Sequence, residues 1–244
     1  IITTGTAPIF NFTNGQVTAG ASESATTDLV VLDDFIFGEP LLNSTSVSSA
    51  SFTSVALAPE SITSVFGEGL ATGTVIASIV PLPTQLGGTS ITVRDSAGVD
   101  RLAPLFFVSP GQINFVVPKE IAIGDTVSFT INNNGVQSAG TVKIVDAAPG
   151  VFSANGSGSG KSTAQCGQVS ADGLSFVLSS PPCAVGNESQ YNLLVIYGTG
   201  WSNSASIQVK IGDVTLTPSY AGPQGEFLGL DQINVSLTKD LATK

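Results

Sequence analysis

Apolar and polar positions alternate most regularly between Leu102 and Pro118. Two apolar runs there, Leu105–Val108 and Ile113–Val117, are joined by Ser109-Pro110-Gly111, residues that favour a turn. After the turn Ile113, Phe115 and Val117 alternate with Gln112, Asn114 and Val116. A period of two places the first set on one face of a strand. The phrase recurs as Gln232-Ile233-Asn234-Val235 near the other end. A second pair of motifs, Val65-Phe66-Gly67-Glu68-Gly69-Leu70 and Ile196-Tyr197-Gly198-Thr199-Gly200-Trp201, keeps the same order relative to the first. The chain therefore reads as two copies of one unit.

Strands of four to eight residues with turn residues between them follow from Ser51 onward. Ser61–Phe66, Thr89–Arg94, Val99–Leu102, Thr126–Ile131 and Val136–Val145 are the clearest in the first copy. Thr163–Ser170, Leu174–Ser179, Asn192–Tyr197, Ala205–Ile211, Val214–Pro218 and Gln232–Leu237 follow in the second. The first copy is the longer by Thr72–Pro83, read as an extra loop or edge strand. Turn signals every 8–12 residues over roughly 100 residues fit an immunoglobulin-like sandwich. The expected fold is all-β, with two tandem immunoglobulin-like β-sandwiches at 51–152 and 153–244. Residues 1–50 precede them as an extended segment that does not echo the repeat. Ile1, Ile2, Ile9, Phe10 and Phe12 are the apolar anchors of its Thr-rich tail, and Asn14-Gly15 is a hairpin signal.

Composition sharpens this picture. Of 244 residues 42% are hydrophobic, yet only 11% are charged, so solubility rests on Ser, Thr, Asn, Gln and Gly. With 27 Gly and 13 Pro, many short strands and tight turns are favoured over helices. The net charge of −10, with 8 basic residues in all, disfavours nucleic acid and anionic membrane surfaces as partners. No apolar run approaches the ~20 residues of a spanning helix. Methionine is absent and the chain begins Ile1-Ile2-Thr3-Thr4, as expected of a mature product whose leader is removed, or of a piece of a longer chain.

The two cysteines, Cys166 and Cys183, flank Ala171-Asp172-Gly173. A hairpin with one Cys on each arm brings the sulfurs into bonding range, and a disulfide implies an oxidising compartment. Two buried thiols are the alternative. A closed loop of this size contributes roughly 3 kcal/mol in the chain-entropy view.

Catalytic chemistry finds little material. Histidine is absent, which removes the Ser-His-Asp relay and every His-ligated metal site. Asp33, Asp34, Asp95, Asp100, Asp172 and Asp213 offer carboxylates for glycoside hydrolysis, but they sit mostly in turn contexts. Asp28, Asp33 and Asp34, or Asp95 and Asp100, offer oxygens for calcium without an ordered ligand spacing. Gly156–Ser162 lacks the spacing of a phosphate-binding loop and reads as a linker. Asn11, Asn43, Asn155, Asn187 and Asn234 open glycosylation sequons in a composition that generates them by chance. Trp201, Tyr197 and Tyr220 are candidates for a sugar-stacking platform, although Trp201 stands where the first copy has Leu70 and so reads as a packing residue. Gln112/Asn114 and Gln232/Asn234 read as structural hydrogen-bonding positions. No enzyme and no cofactor are expected.

Several motifs in order resemble the Solibacter-type C-terminal domain of acidobacterial surface proteins. They are Ala58–Gly67, Leu86–Val93, Pro104–Phe115, Ala148–Phe152, Val195–Gly200 and Gln232–Val235. The resemblance spans roughly residues 48–240. It implies tandem immunoglobulin-like folds, export, and a bacterial surface or extracellular location, and brings no catalytic residues. Low charge, two sandwiches and an apolar-dotted tail together lead to one expectation. The chain is a secreted structural protein, a subunit of a surface filament or layer, whose tail Ile1–Phe12 is donated to an open sheet edge of a neighbouring copy. Head-to-tail contacts of that kind build open homopolymers. The runner-up is a monomeric cell-surface adhesin or carbohydrate-binding module with extracellular glycans as partners. A domain cut from a larger surface protein is the third reading.

Overall fold

A computed structural model describes residues 10–13, 16–19, 42–169, 176–182, 192–237 and 241. All of its regular structure is β apart from a single 3₁₀ position at Leu241, and its chain divides into two units, 1–39 and 40–244. In the first unit β1 (Phe10–Thr13) and β2 (Gln16–Ala19) form an antiparallel hairpin across Asn14-Gly15, with Thr13 opposite Gln16. Ile1, Ile2 and Ile9 lie outside the described residues.

The second unit opens with a complete sandwich. β3 (Leu42–Asn43), β4 (Thr45–Ser48), β5 (Ile62–Phe66), β6 (Val75–Ile76), β7 (Gln85–Leu86), β8 (Thr89–Arg94) and β9 (Asp100–Leu102) come first. β10 (Leu105–Val108), β11 (Gln112–Val116), β12 (Gly124–Asn133) and β13 (Val136–Ile144) complete it. One sheet has the order β4-β5-β11-β10-β6, and the other runs β3-β13-β12-β8-β7 with β9 beside β8. All pairings are antiparallel except β3 on β13. A single core lies between the sheets: Val65, Leu105, Ile113 and Phe115 from one meet Ile91, Val93, Phe129 and Ile131 from the other.

Local sequence explains the frame. The Ser109-Pro110-Gly111 turn is closed by Ser109, whose N–H donates to the Gln112 carbonyl at 2.8 Å. Its Oγ accepts the Gln112 N–H at 3.0 Å. Asn134 (φ 50°) and Gly135 (φ 98°) adopt the left-handed pair that a two-residue hairpin needs, linking β12 to β13. Thr72–Pro83 contributes the edge strand β6, as read from the sequence. The strands of this sandwich begin at Leu42, upstream of the Ser51 from which regular strands were expected. Val116 breaks the alternation as well. It is buried together with Phe115 and Val117, because the later half of the chain, at Gly229, packs on its outward side.

The later half is built differently. β14 (Gly150–Val151), β15 (Ala164–Val169), β16 (Phe176–Ser179), β17 (Leu193–Thr199), β20 (Tyr220–Pro223) and β21 (Asp231–Ser236) form one sheet, ordered β16-β15-β17-β21-β20 with β14 on β17. β18 (Val209–Ile211) and β19 (Val214–Leu216) form a separate two-stranded ribbon. Two tandem sandwiches were expected, the first the longer. Here one six-stranded sheet faces a ribbon of two short strands, so the second wall is mostly missing among the described residues.

The halves are joined by close backbone contacts. The Thr199 hydroxyl accepts the Ile62 N–H at 2.8 Å and donates to the Gly229 carbonyl at 2.7 Å. The Ala148 N–H donates to the Gly200 carbonyl at 2.8 Å. Gly200 has φ of +85°, and a Cβ there would collide with the Ala148 carbonyl oxygen. Both the dihedral and the space demand glycine. Gly200→Ala is expected to lower unfolding stability by roughly 1–3 kcal/mol. Denaturant titration checks this, and an unchanged midpoint would contradict the contact.

Candidate assembly site

The repeat is visible in the registers. In the first half Gln112 lies opposite Phe66, and in the second Gln232 lies opposite Tyr197. Each glutamine amide donates to the asparagine two residues on, Gln112 to Asn114 at 2.8 Å and Gln232 to Asn234 at 2.7 Å. These pairs brace one face of a strand, the structural role read from the sequence. Strand by strand, β17 answers to β5, the β18–β19 ribbon to β8–β9, and β20–β21 to β10–β11. β15 pairs with β17 as β4 pairs with β5. Nothing described answers to β12 and β13.

Those two strands are what closes the first core. β12 lies between β8 and β13 and buries Val127, Phe129 and Ile131. In the second half only Trp201, Ile233 and Val235 are fully covered in the corresponding cluster. Ile196, Ile207, Val209 and Leu216 pack against them but remain half-exposed. β18 pairs with β19 alone, so its other edge carries peptide groups with no strand beside them among the described residues. Trp201, a candidate for sugar stacking, is 2% exposed and belongs to this core, so it cannot present a ring face to a glycan. Its Nε1–H is buried without an acceptor. The Trp201 and Ser202 N–H groups and the Ser202 hydroxyl all donate to the buried Asp231 carboxylate, which fixes the loop after β17. Tyr197 donates its hydroxyl to Gln165 at 2.8 Å, and Tyr220 lies 42% exposed on β20. The three aromatics do not form one platform.

A second apolar feature is a cleft of 580 Å³ between the loop at 77–82 and the loop at 225–231. Ile79, Val80, Phe227 and Leu228 line it and are 62%, 90%, 61% and 44% exposed. Sequence reading missed this cleft, whose apolar residues sit in Gly/Pro-rich loops without periodicity. It also missed the half-covered residues of β18 and β19. Their signal was a count: the second copy runs out of strands after the Gln-Ile-Asn motif.

The remaining candidate residues fall as follows. Cys166 on β15 is fully buried and not a free thiol, and β15 and β16 form the expected hairpin with Cys166 opposite Ser179. Cys183 lies outside the described residues, as do Asp28, Asp33, Asp34 and Asp172. Asp100 pairs with Arg94 across an exposed edge. No group of three metal-ligating side chains occurs among the described residues. No helix among them is long and apolar enough to cross a membrane. Compared with family models, with curated proteins and with solved structures, the chain matches none.

Asp95 is a turn anchor. Its buried carboxylate accepts the N–H groups of Ala97 (3.0 Å), Val99 (2.9 Å) and Ala122 (3.1 Å) and an ion pair from Arg101. The Val99 N–H, then the Ala122 N–H and the Arg101 guanidinium, hold this carboxyl below the usual aspartate range, against the opposing effect of burial. A group depressed by folding stabilises the fold above its unfolded value of about 3.9 and loses that contribution as pH falls through the folded value. Asp95→Asn is therefore expected to lose stability at neutral pH and less, or none, in strong acid. Unfolding midpoints at the two pH values test this, and a parallel loss at both would rule out the charge as the cause.

Proposed function

We propose that the chain is a non-enzymatic extracellular structural protein, a subunit of a surface filament or layer that assembles by strand addition between copies. The single observation that carries this reading is the second apolar core, closed by a full sheet on one side and by a two-stranded ribbon on the other. Apolar side chains left half-covered in water are stabilised when a strand from elsewhere completes the wall. The tail with Ile1, Ile2, Ile9, Phe10 and Phe12 is the donor.

The finer fold assignment belongs to the same proposal. Both halves are immunoglobulin-like modules. In the first, the order β4-β5-β11-β10 against β13-β12-β8 matches the ABED and GFC sheets of a constant-type immunoglobulin domain. In that scheme the described residues of the second module hold the counterparts of A to E and none of F and G. Export and a bacterial surface location draw support from the low charge and from the resemblance to the acidobacterial surface domain. A Cys166–Cys183 disulfide, read from the cysteine spacing, agrees with export. Alkylation of the unreduced, unfolded protein should leave both cysteines unmodified, whereas uptake of label at either one removes the disulfide from the scheme.

A monomeric adhesin or carbohydrate-binding module is the second reading, and the open apolar cleft lined by Val80 and Phe227 is the feature that favours it. Deleting residues 1–15 separates the two. Strand addition predicts folded monomers from the truncated chain and filaments from the full one, seen by electron microscopy and size-exclusion chromatography. Filaments of normal length from the truncated chain would end the strand-addition reading.

A further inference from the structure

The first half specifies what is missing from the second. Along β8 the odd residues turn their peptide groups toward β9, since the Ile91 carbonyl accepts the Ala103 N–H at 2.9 Å. The even residues face β12, in the register Thr92 opposite Thr130. The inward side chains are Ile91 and Val93. On β18 the same arithmetic holds. Ile211 pairs with Val214 across a two-residue turn, so Val209 and Ile211 direct their peptide groups to β19 and their half-buried side chains inward. Lys210 directs its N–H and C=O to the other edge, which has no strand beside it among the described residues. Val209-Lys210-Ile211 therefore stands for Ile91-Thr92-Val93, and the vacancy beside Lys210 is the place that β12 holds beside Thr92.

Among the described residues one other hairpin has the form of β12–β13. β1–β2 is also antiparallel, also has Asn-Gly between its arms in the sequence, and is a two-stranded sheet on its own. Asn14-Gly15, Thr18 and Ala19-Gly20 match Asn134-Gly135, Ser138 and Ala139-Gly140 at one constant offset. Gly140 is needed there, because a Cβ would strike the Phe129 ring. The first arms carry a similar alternation, Phe10-Asn11-Phe12 against Phe129-Thr130-Ile131, displaced by one residue relative to that offset.

We infer that the β1–β2 hairpin of a second copy of this chain docks against β18 and completes the second module in the place that β12–β13 occupy in the first. The inference rests on the strand-addition reading and adds its acceptor, its register and its stoichiometry of one hairpin per second module. Phe10 and Phe12 take the inner positions of Phe129 and Ile131, and Asn11 takes the outer position of Thr130, opposite Lys210. With the register of the free hairpin kept, Val17 stays opposite Phe12 and takes the place of Ser138, and the hairpin is one residue pair shorter than β12–β13. The turn of the hairpin also arrives where its counterpart ends in the first half. There Asn133 donates from Nδ2 to the Gly69 carbonyl at 2.9 Å, beside Leu70. Gly200 and Trp201 are the matching residues, so the incoming turn supplies polar groups next to the unpartnered Trp201 N–H. Donor and acceptor lie on one chain and differ from each other, so the contact is heterologous and propagates.

The test uses full-length Asn11→Cys/Lys210→Cys, assembled and then oxidised, with both single variants as controls. A ladder of disulfide-linked multimers on a non-reducing gel, absent from the single variants and collapsed by reductant, is the expected result. Filaments that give no ladder, or that give one only when the second cysteine is placed on the β6 edge (Asn11→Cys/Ile76→Cys), would overturn the acceptor and leave strand addition standing. A cross-linked monomer band would overturn the second copy as occupant. Absence of filaments from the unmodified chain would remove strand addition itself. Hydrogen exchange on the unmodified protein gives an independent reading. The Lys210 amide should exchange slowly in filaments and fast in monomers, and equal rates would overturn the docking.

Discussion

An apolar sheet face must be covered by another layer, and this requirement organises the whole molecule. Between 42 and 145 it is met within the chain: two sheets enclose Ile91, Phe129, Ile113 and their neighbours, and no large side chain of that core reaches solvent. Between 150 and 237 the described residues meet it fully on one side only. The difference does not come from poorer strands, since β17 and β21 repeat the registers of β5 and β11. It comes from two strands, β12 and β13, that have no counterpart among the described residues.

The open module is nonetheless held firmly in place. Thr199 bonds to the backbone of both halves, Gly200 lets the chain approach Ala148, and Gly229 lies on Val116. Each of these contacts would be lost if the halves moved apart as separate beads. The incomplete wall is thus presented on a rigid support, which lowers the entropic cost of accepting a strand from outside. A flexible tether would leave the same apolar residues free to collapse on any nearby surface.

Much of the fold was legible in the sequence because it is encoded locally. Alternation identified β5, β8, β11 and β21. Asn-Gly and Ser-Pro-Gly marked the hairpins, and the repeated Gln-x-Asn pairs announced two related sheets. How far the second half is closed was not legible. A pattern that names strands does not show which of them has a partner: two sandwiches were expected, and the described residues complete the first. Trp201 illustrates the same limit: its match to Leu70 suggested packing, but only the surrounding side chains show the indole buried with its N–H unpaired.

Sequence by itself determined the strand content, the turn chemistry, the internal repeat and the poverty of catalytic groups. These depend on residue type and on spacing of a few positions. Tertiary structure decided which faces are covered. It buried Val116 on a side that alternation assigned to the exterior, anchored Asp95 in a net of N–H donors, and left Val209, Ile211 and Leu216 half-buried at an edge with no strand beside it among the described residues. Burial is a property of what a face meets, and that is settled by residues distant in the chain.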